Sequence, residues 1–155
     1  MKVAVITISD RASRGEYKDL SGPEIEKAVM ALFPDAEVTR RVVPDEPADI
    51  RAALEAETAS DFILTTGGTG ISPRDVTPEV TARFCQREIP GIAEMLRSRS
   101  AAETPAAALS RGYAGQRGGT VVVNFPGSVK AVQLCMNALG PVMAHAVKML
   151  RGEGH

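Results

Sequence analysis

The chain has 155 residues, about the size of one ordinary domain, with 44% hydrophobic and 24% charged residues, a composition that fits a soluble globular protein. Its formal net charge of −1 excludes a bulk electrostatic pull toward nucleic acid or an anionic membrane. Two Tyr and four Phe leave little aromatic surface for stacking bases, and no apolar run approaches the ~20 residues of a membrane span.

The N-terminal Val3-Ala4-Val5-Ile6 has no cleavage pattern and reads as the start of a strand, not a signal peptide. That β-branched run, Val3 to Ser9, predicts a buried strand, and the polar stretch Asp10 to Leu20 predicts a loop. Ser21-Gly22-Pro23-Glu24 has capping-box spacing and opens a helix with Ile25, Ala28, Val29 and Leu32 on one face, stopped by Pro34. Glu37 to Val43 alternates as a second strand, ended by Pro44, and a helix follows through Ile50, Ala53 and Leu54. Phe62 to Thr66 is a third strand. A glycine-rich loop runs from Gly67 to Val76, and Thr77-Pro78 starts the next helix, with Thr77 as cap and Pro78 at the first helical position. Another helix follows Pro90-Gly91, with Ile92, Met95 and Leu96 inward. Thr120 to Phe125 is the strongest strand, with Arg111 to Gly118 as a short hairpin arm beside it. From Ser128 onward, Val132, Cys135, Leu139, Val142, Ala146 and Met149 recur at helical spacing, and Gly140-Pro141 is expected to kink or divide that helix. Strands alternating with helices define an α/β domain, without repeats or interdomain linkers.

Cys85 and Cys135 fall in predicted helices among apolar neighbours and read as small buried hydrophobes. No Cys/His cluster has zinc spacing. The two histidines, His145 on a helix and His155 at the C-terminus, suggest no catalytic dyad.

In open α/β sheets, ligands bind beyond the carboxyl ends of the strands. Four predicted strands end in polar or glycine-rich loops: Ser9-Asp10-Arg11, Pro44-Asp45-Glu46, Gly67 to Asp75, and Pro126-Gly127-Ser128. If those strands run parallel, the four loops meet on one edge. Gly67, Gly68 and Gly70, with Thr69 among them, let the backbone approach an anion closely and aim successive N–H groups at it. The Gly-Lys-Ser/Thr ending of a Walker loop is missing, and the glycine spacing is not that of a dinucleotide fingerprint. A flexible turn capped by Thr hydroxyls is the competing reading. Asp45 reads either as a helix N-cap or as an acidic ligand, and Asp75 either as a turn residue paired with Arg74 or as a second ligand. Together, beside a phosphate-type loop, the two suggest Mg²⁺, which takes one or two carboxylates plus substrate phosphates. Ser9 and Arg11 offer phosphate contacts, Ser110 and Arg111 an acidic-group contact, and Ser128 either caps the last helix or binds an anion at its N-terminus.

Six segments carry a resemblance: Ile8 to Ser13 with Gly15, Tyr17 and Asp19; Val43 to Glu46; Thr65 through Pro78; Pro90-Gly91; Leu109-Ser110-Arg111; and Asn124 to Ser128 with Lys130. They span nearly the whole chain, and it resembles the Mog/MoaB family of the molybdopterin-binding fold, closest to its adenylyltransferase branch. The Thr-Thr-Gly-Gly-Thr-Gly plus Pro-Arg-Asp-Val-Thr-Pro block is the most specific part. Phe125 and Val129 stand where the family usually has Leu and a second Pro.

The resemblance implies a three-layer α/β/α domain over residues 1–155, with a mixed, mostly parallel sheet of about five strands, assembled as a homotrimer. It implies Mg-ATP-dependent adenylylation of molybdopterin with release of pyrophosphate, preparing it for molybdate insertion. Asp45 and Asp75 look like the essential acidic pair and magnesium ligands. Gly67, Gly68, Thr69 and Gly70, with Ser9 and Asp10, look like the nucleotide and phosphate contacts. Ser110, Arg111, Pro126, Gly127 and Ser128 look like the molybdopterin contacts. A molybdopterin synthase or a molybdenum insertase is the expected protein partner, and the cytoplasm the expected compartment, since dithiolene sulfurs need reducing conditions. Two other readings remain: a non-catalytic molybdopterin carrier of the MoaB type, and an unrelated α/β phosphohydrolase.

Overall fold

The computed structural model describes residues 1–153; His155 lies outside them. The elements run β1 (Lys2–Ile8), α1 (Asp10–Ser13), α2 (Ser21–Leu32), β2 (Glu37–Val43), α3 (Pro47–Ala56), β3 (Phe62–Thr66), α4 (Thr77–Phe84), β4 (Arg87–Glu88), α5 (Pro90–Glu103), a 3₁₀ turn (Pro105–Leu109), β5 (Ala114–Arg117), β6 (Thr120–Phe125) and α6 (Val129–Leu150). Six strands form one sheet in the order β2-β1-β3-β6-β5-β4. The first four in that order are parallel, and β5 and β4 are antiparallel additions.

The sheet is covered on both faces, which is why its central strands are apolar throughout rather than alternating. Val3, Val5, Phe62, Leu64, Val121 and Val123 pack toward α2, α5 and α6 through Ile25, Val29, Leu96, Val132, Leu139 and Met143. Ala4, Ile6, Ile8, Ile63 and Val122 pack toward α3 and α4 through Ile50, Leu54, Val80 and Phe84. The three layers are those expected; the sixth strand is the two-residue β4, too short to leave a period-2 signal.

Several local expectations fail for identifiable reasons. The stretch after β1 begins with a helical turn, because the Ser9 side chain accepts the Ala12 N–H at 3.2 Å and caps it. Ser21 is not a cap. Asp19 does that work, accepting the Gly22 N–H at 3.0 Å while Ser21 lies inside the helix. Thr77 is likewise helical, and its hydroxyl donates to Gly67 O at 3.1 Å. The N-cap reading of Asp45 is excluded: Glu46 occupies that position and makes no side-chain capping bond. Of the two outcomes expected at Gly140-Pro141, division is excluded: α6 runs from Val129 to Leu150 through Pro141, with Leu139, Met143 and Val147 buried along it. A Cβ on Gly140 would meet the tip of the flexible Leu32 side chain where α2 lies against α6. Cys85 falls just beyond α4 and is half-buried, while Cys135 is buried in α6; burial pushes both thiols up to about 11, as unreactive hydrophobes require.

At the C-terminal end of the sheet a buried polar cluster ties β3, β6 and α4 to the link that precedes β5. Asn124 donates to the hydroxyls of Thr65 and Thr81, each at 2.9 Å, and its carbonyl oxygen accepts the Tyr113 N–H at 3.1 Å. Asn124→Ala strips an acceptor from a buried N–H and leaves a cavity, and is expected to cost about 2–4 kcal/mol. Urea denaturation reads this as a lowered midpoint at unchanged slope.

Candidate functional site

Parallel register brings the strand ends level. Ile8 pairs with Val43, Thr7 with Thr66, and Thr66 with Phe125. The four loops that leave these residues therefore share one edge of the sheet. Gly67 adopts φ 99° and Gly68 φ 64°, a region that favours glycine. A Cβ on Gly67 would overlap Ile8 O, and one on Gly127 would stand 3.5 Å from Gly67 Cα, so three strand ends meet here at backbone distance. The Gly67 N–H donates to Phe125 O at 3.1 Å; among the described residues, those of Gly68, Thr69 and Gly70 find no protein acceptor.

Two cavities flank this glycine ridge. One, of about 430 Å³, is lined by Ser9, Tyr17, Asp19, Asp45, Gly67, Gly68, Asp75, Gly127 and Ser128. The other, of about 460 Å³ and largely apolar, touches Thr69, Gly70, Leu96, Arg97, Ser110, Asn124, Pro126, Ser128 and Lys130. Ser128 borders both, and its hydroxyl caps α6 by accepting the Ala131 N–H at 3.2 Å.

Asp45 and Asp75 open onto the same acidic cleft. Asp45 is held by a reciprocal pair: its Oδ2 accepts the Asp10 N–H at 2.8 Å, and Asp10 Oδ1 accepts the Asp45 N–H at 3.0 Å. Burial raises the Asp45 carboxyl above its ordinary range, and the charges of Asp10 and Asp75 raise it further against the Asp10 N–H bond, which lowers it. The Asp45 N–H bond, aided by Arg74, holds the Asp10 carboxyl below its usual range. Asp75 Oδ2 accepts the Ser72 N–H at 3.0 Å. Each of Asp45 and Asp75 thus keeps one carboxylate oxygen without a hydrogen-bonding partner among the described residues. An all-oxygen pair of this kind fits Mg²⁺, which shares its remaining positions with phosphate oxygens and water. Among the described residues, no cluster of three or more His, Cys, Asp or Glu is suited to hold a metal.

Two residues expected at the site make bonds within the protein. Asp10 lines neither of these two cavities: its carboxylate receives Arg74 through bonds of 2.9–3.1 Å and the Asp45 N–H. An anion so occupied supports Asp45. Arg74 pairs with Asp10 and Glu46 rather than with its neighbour Asp75, bridging the glycine loop to the β1 and β2 loops. Arg111 also lines neither cavity, its guanidinium being turned to Gly70 O, Asp75 O and Glu79. Ser110 borders the apolar cavity, and Pro126 O accepts the Thr66 hydroxyl at 2.7 Å.

Sequence reasoning assigned no role to Asp19 or Tyr17. Asp19 accepts Thr7 Oγ1 at 2.8 Å and caps α2 at the rim of the acidic cleft; its place three residues before Gly22 was the available signal. Tyr17 is half-exposed with Arg11 over its ring at 5.2 Å, a contact between side chains six apart that no periodicity announces.

Comparison with known proteins shows the family to which the chain belongs. Residues 4–145 match the family described as a probable molybdopterin binding domain, and the chain belongs to it. It is 38% identical to a molybdopterin adenylyltransferase of Helicobacter pylori, over 97% of this chain and 88% of that one. It is 36% identical to the Escherichia coli protein of the same name, over 95% and 80%. Among solved structures, the molybdopterin biosynthesis enzyme MoaB of Thermus thermophilus superposes with a TM-score of 0.89 at 41% identity, covering 97% of this chain and 96% of that one.

If Asp45 and Asp75 share the cleft, Asp75→Asn removes one of the like charges that disfavour the Asp45 anion. The Asp45 carboxyl then titrates at lower pH, nearer the ordinary carboxylate range, in a carboxyl-carbon NMR titration; an unchanged midpoint would place the two groups apart.

Proposed function

We propose that this protein catalyses molybdenum-cofactor biosynthesis by transferring AMP from ATP to the phosphate of molybdopterin, with release of pyrophosphate, in the cytoplasm. The observation that carries this reading is the pair Asp45 and Asp75 in one cleft beside a glycine ridge with unclaimed N–H groups. The family supports molybdopterin as a substrate, and the relatives' names support adenylyl transfer.

A phosphate monoester is already anionic near pH 7, its second pKa being about 6, so attack on the α-phosphorus needs no protein base. Among the described residues, no histidine lines either cavity. An oxygen of the molybdopterin phosphate forms the new bond to the α-phosphorus, and the bond from that phosphorus to the β-bridging oxygen breaks. What the chain must supply is alignment of two mutually repelling anions and neutralisation of their charge. Two cavities meeting at one ridge suit two substrates that react through their phosphates. The apolar cavity accepts a flat heterocycle, and the acidic cleft accepts metal-bound phosphate. Asp45 and Asp75 would hold Mg²⁺, which supplies electrostatic stabilisation of the phosphates. Gly68, Thr69 and Gly70 offer backbone N–H groups to the same anions without reorganisation during the reaction. A homotrimer, and hand-over of the product to a molybdenum insertase or contact with a molybdopterin synthase, complete the proposed setting.

Asp45→Ala and Asp75→Asn are each expected to lower turnover by on the order of 10²-fold or more while the fold persists, as for deleted electrostatic stabilisers. Pyrophosphate release from ATP, Mg²⁺ and molybdopterin is the measurement. Turnover within about tenfold of the parent protein in both variants would defeat the assignment. Tight molybdopterin binding without any pyrophosphate would favour a carrier, and AMP release without pterin would favour a hydrolase.

A further inference from the structure

We infer that Arg111 is a positioning residue that locks the glycine loop and with it Asp75, rather than a group that touches molybdopterin. The inference rests on the reading of Asp75 as a metal-holding carboxylate.

The loop from Gly67 to Val76 is ten residues long and lies between β3 and α4. Fixing each of its residues costs roughly 1–2 kcal/mol in backbone entropy, so a loop that must hold a carboxylate in place needs external ties. Arg111, in the link between the 3₁₀ turn and β5, provides them at four points. Its backbone N–H donates to Thr69 O at 2.8 Å. Its Nε donates to Gly70 O at 2.7 Å, and its Nη2 to Asp75 O at 2.6 Å. Its Nη1 meets Glu79 in the first turn of α4. One side chain thus binds the glycine turn, the far end of the loop and the helix that follows. Burial works to raise the Glu79 carboxyl, yet the Arg111 hydrogen bond and charge hold it below its usual range, as a persistent ion pair requires.

The directions of these bonds decide between the two roles. Three of the five guanidinium N–H groups already point at loop or helix acceptors, and the head faces neither cavity. Asp75 is then fixed twice, its carbonyl by Arg111 and its carboxylate by the Ser72 N–H. Arg74 cannot substitute, because it is engaged with Asp10 and Glu46 on the opposite wall. Nor can lysine, a point donor, satisfy three acceptors spread around a planar fork.

The test uses the full chain with Arg111→Lys and Glu79→Ala, each checked for fold by circular dichroism. Hydrogen exchange of amides 67–76 without substrates is read first. Arg111→Lys is expected to speed exchange there by about tenfold or more, with the sheet amides unchanged, and Glu79→Ala to speed it by less. In the pyrophosphate assay, Arg111→Lys should raise the Mg²⁺ needed for half-maximal activity by about tenfold while leaving KM for molybdopterin within about twofold. Unchanged loop exchange, or a raised molybdopterin KM at unaltered Mg²⁺ dependence, overturns the inference in favour of a substrate clamp. Should Arg111→Lys fail to fold, exchange in Glu79→Ala decides the matter. Should the parent protein release no pyrophosphate, the adenylyl-transfer reading fails, and loop exchange still tests the brace.

Discussion

Carboxylates repel, and the proposed site holds three of them within interacting distance at the edge of one sheet. Asp45 is the centre of this crowding, its ionised form disfavoured by burial and by Asp10 and Asp75. Such an arrangement persists only if the surrounding structure over-determines it. The reciprocal bonds between the main chains and carboxylates of Asp10 and Asp45 do this for one wall of the cleft. Arg74 neutralises the outer carboxylates, Asp10 and Glu46, and leaves Asp45 to the cleft. The protein thereby keeps a concentrated negative potential where a divalent cation is useful, although its net charge is only −1.

The sheet makes that arrangement available. Residues 8, 43, 66 and 125 lie far apart in sequence, yet parallel pairing leaves them level. Because the register is fixed by buried residues on both faces, a one-residue slip would exchange the two cores and expose neither set to a matching helix layer. Register is therefore specified by packing well away from the site, and the site inherits its precision. The glycine at 67 acts at the last step, allowing loops already brought level to touch through their backbones.

Much of this was legible in the chain itself. Phe62–Thr66 and Glu37–Val43 have the bounds expected of them, and the four-loop convergence followed from assuming parallel strands. What was not legible depended on contacts between distant residues. Ser21 and Thr77 carry good cap residue types, but Asp19 and Gly67 O offered better partners. Pro141 costs a backbone hydrogen bond, yet a long buried stripe outweighs it, so α6 continues. Arg74 stands beside Asp75 in sequence and turns to Asp10, sixty-four residues away. A side chain's partner is set by the fold, and adjacency in the chain is a poor guide to it.

The same principle separates the roles of charged residues at this edge. A motif identifies residues that a site needs without saying whether they meet the ligand. Asp10 and Arg111 belong to the motifs, yet each spends its charge on the protein: Asp10 on Arg74 and the Asp45 N–H, Arg111 on the carbonyls of the glycine loop. Asp45 and Asp75 each retain an oxygen with no hydrogen-bonding partner among the described residues. In a reaction that needs alignment and charge neutralisation but no proton transfer by the enzyme, rigidity is the chief demand on the scaffold. On the proposed reading, the supporting charges meet it by spending their bonds within the protein, and Asp45 and Asp75 serve the chemistry by each keeping an oxygen unpaired.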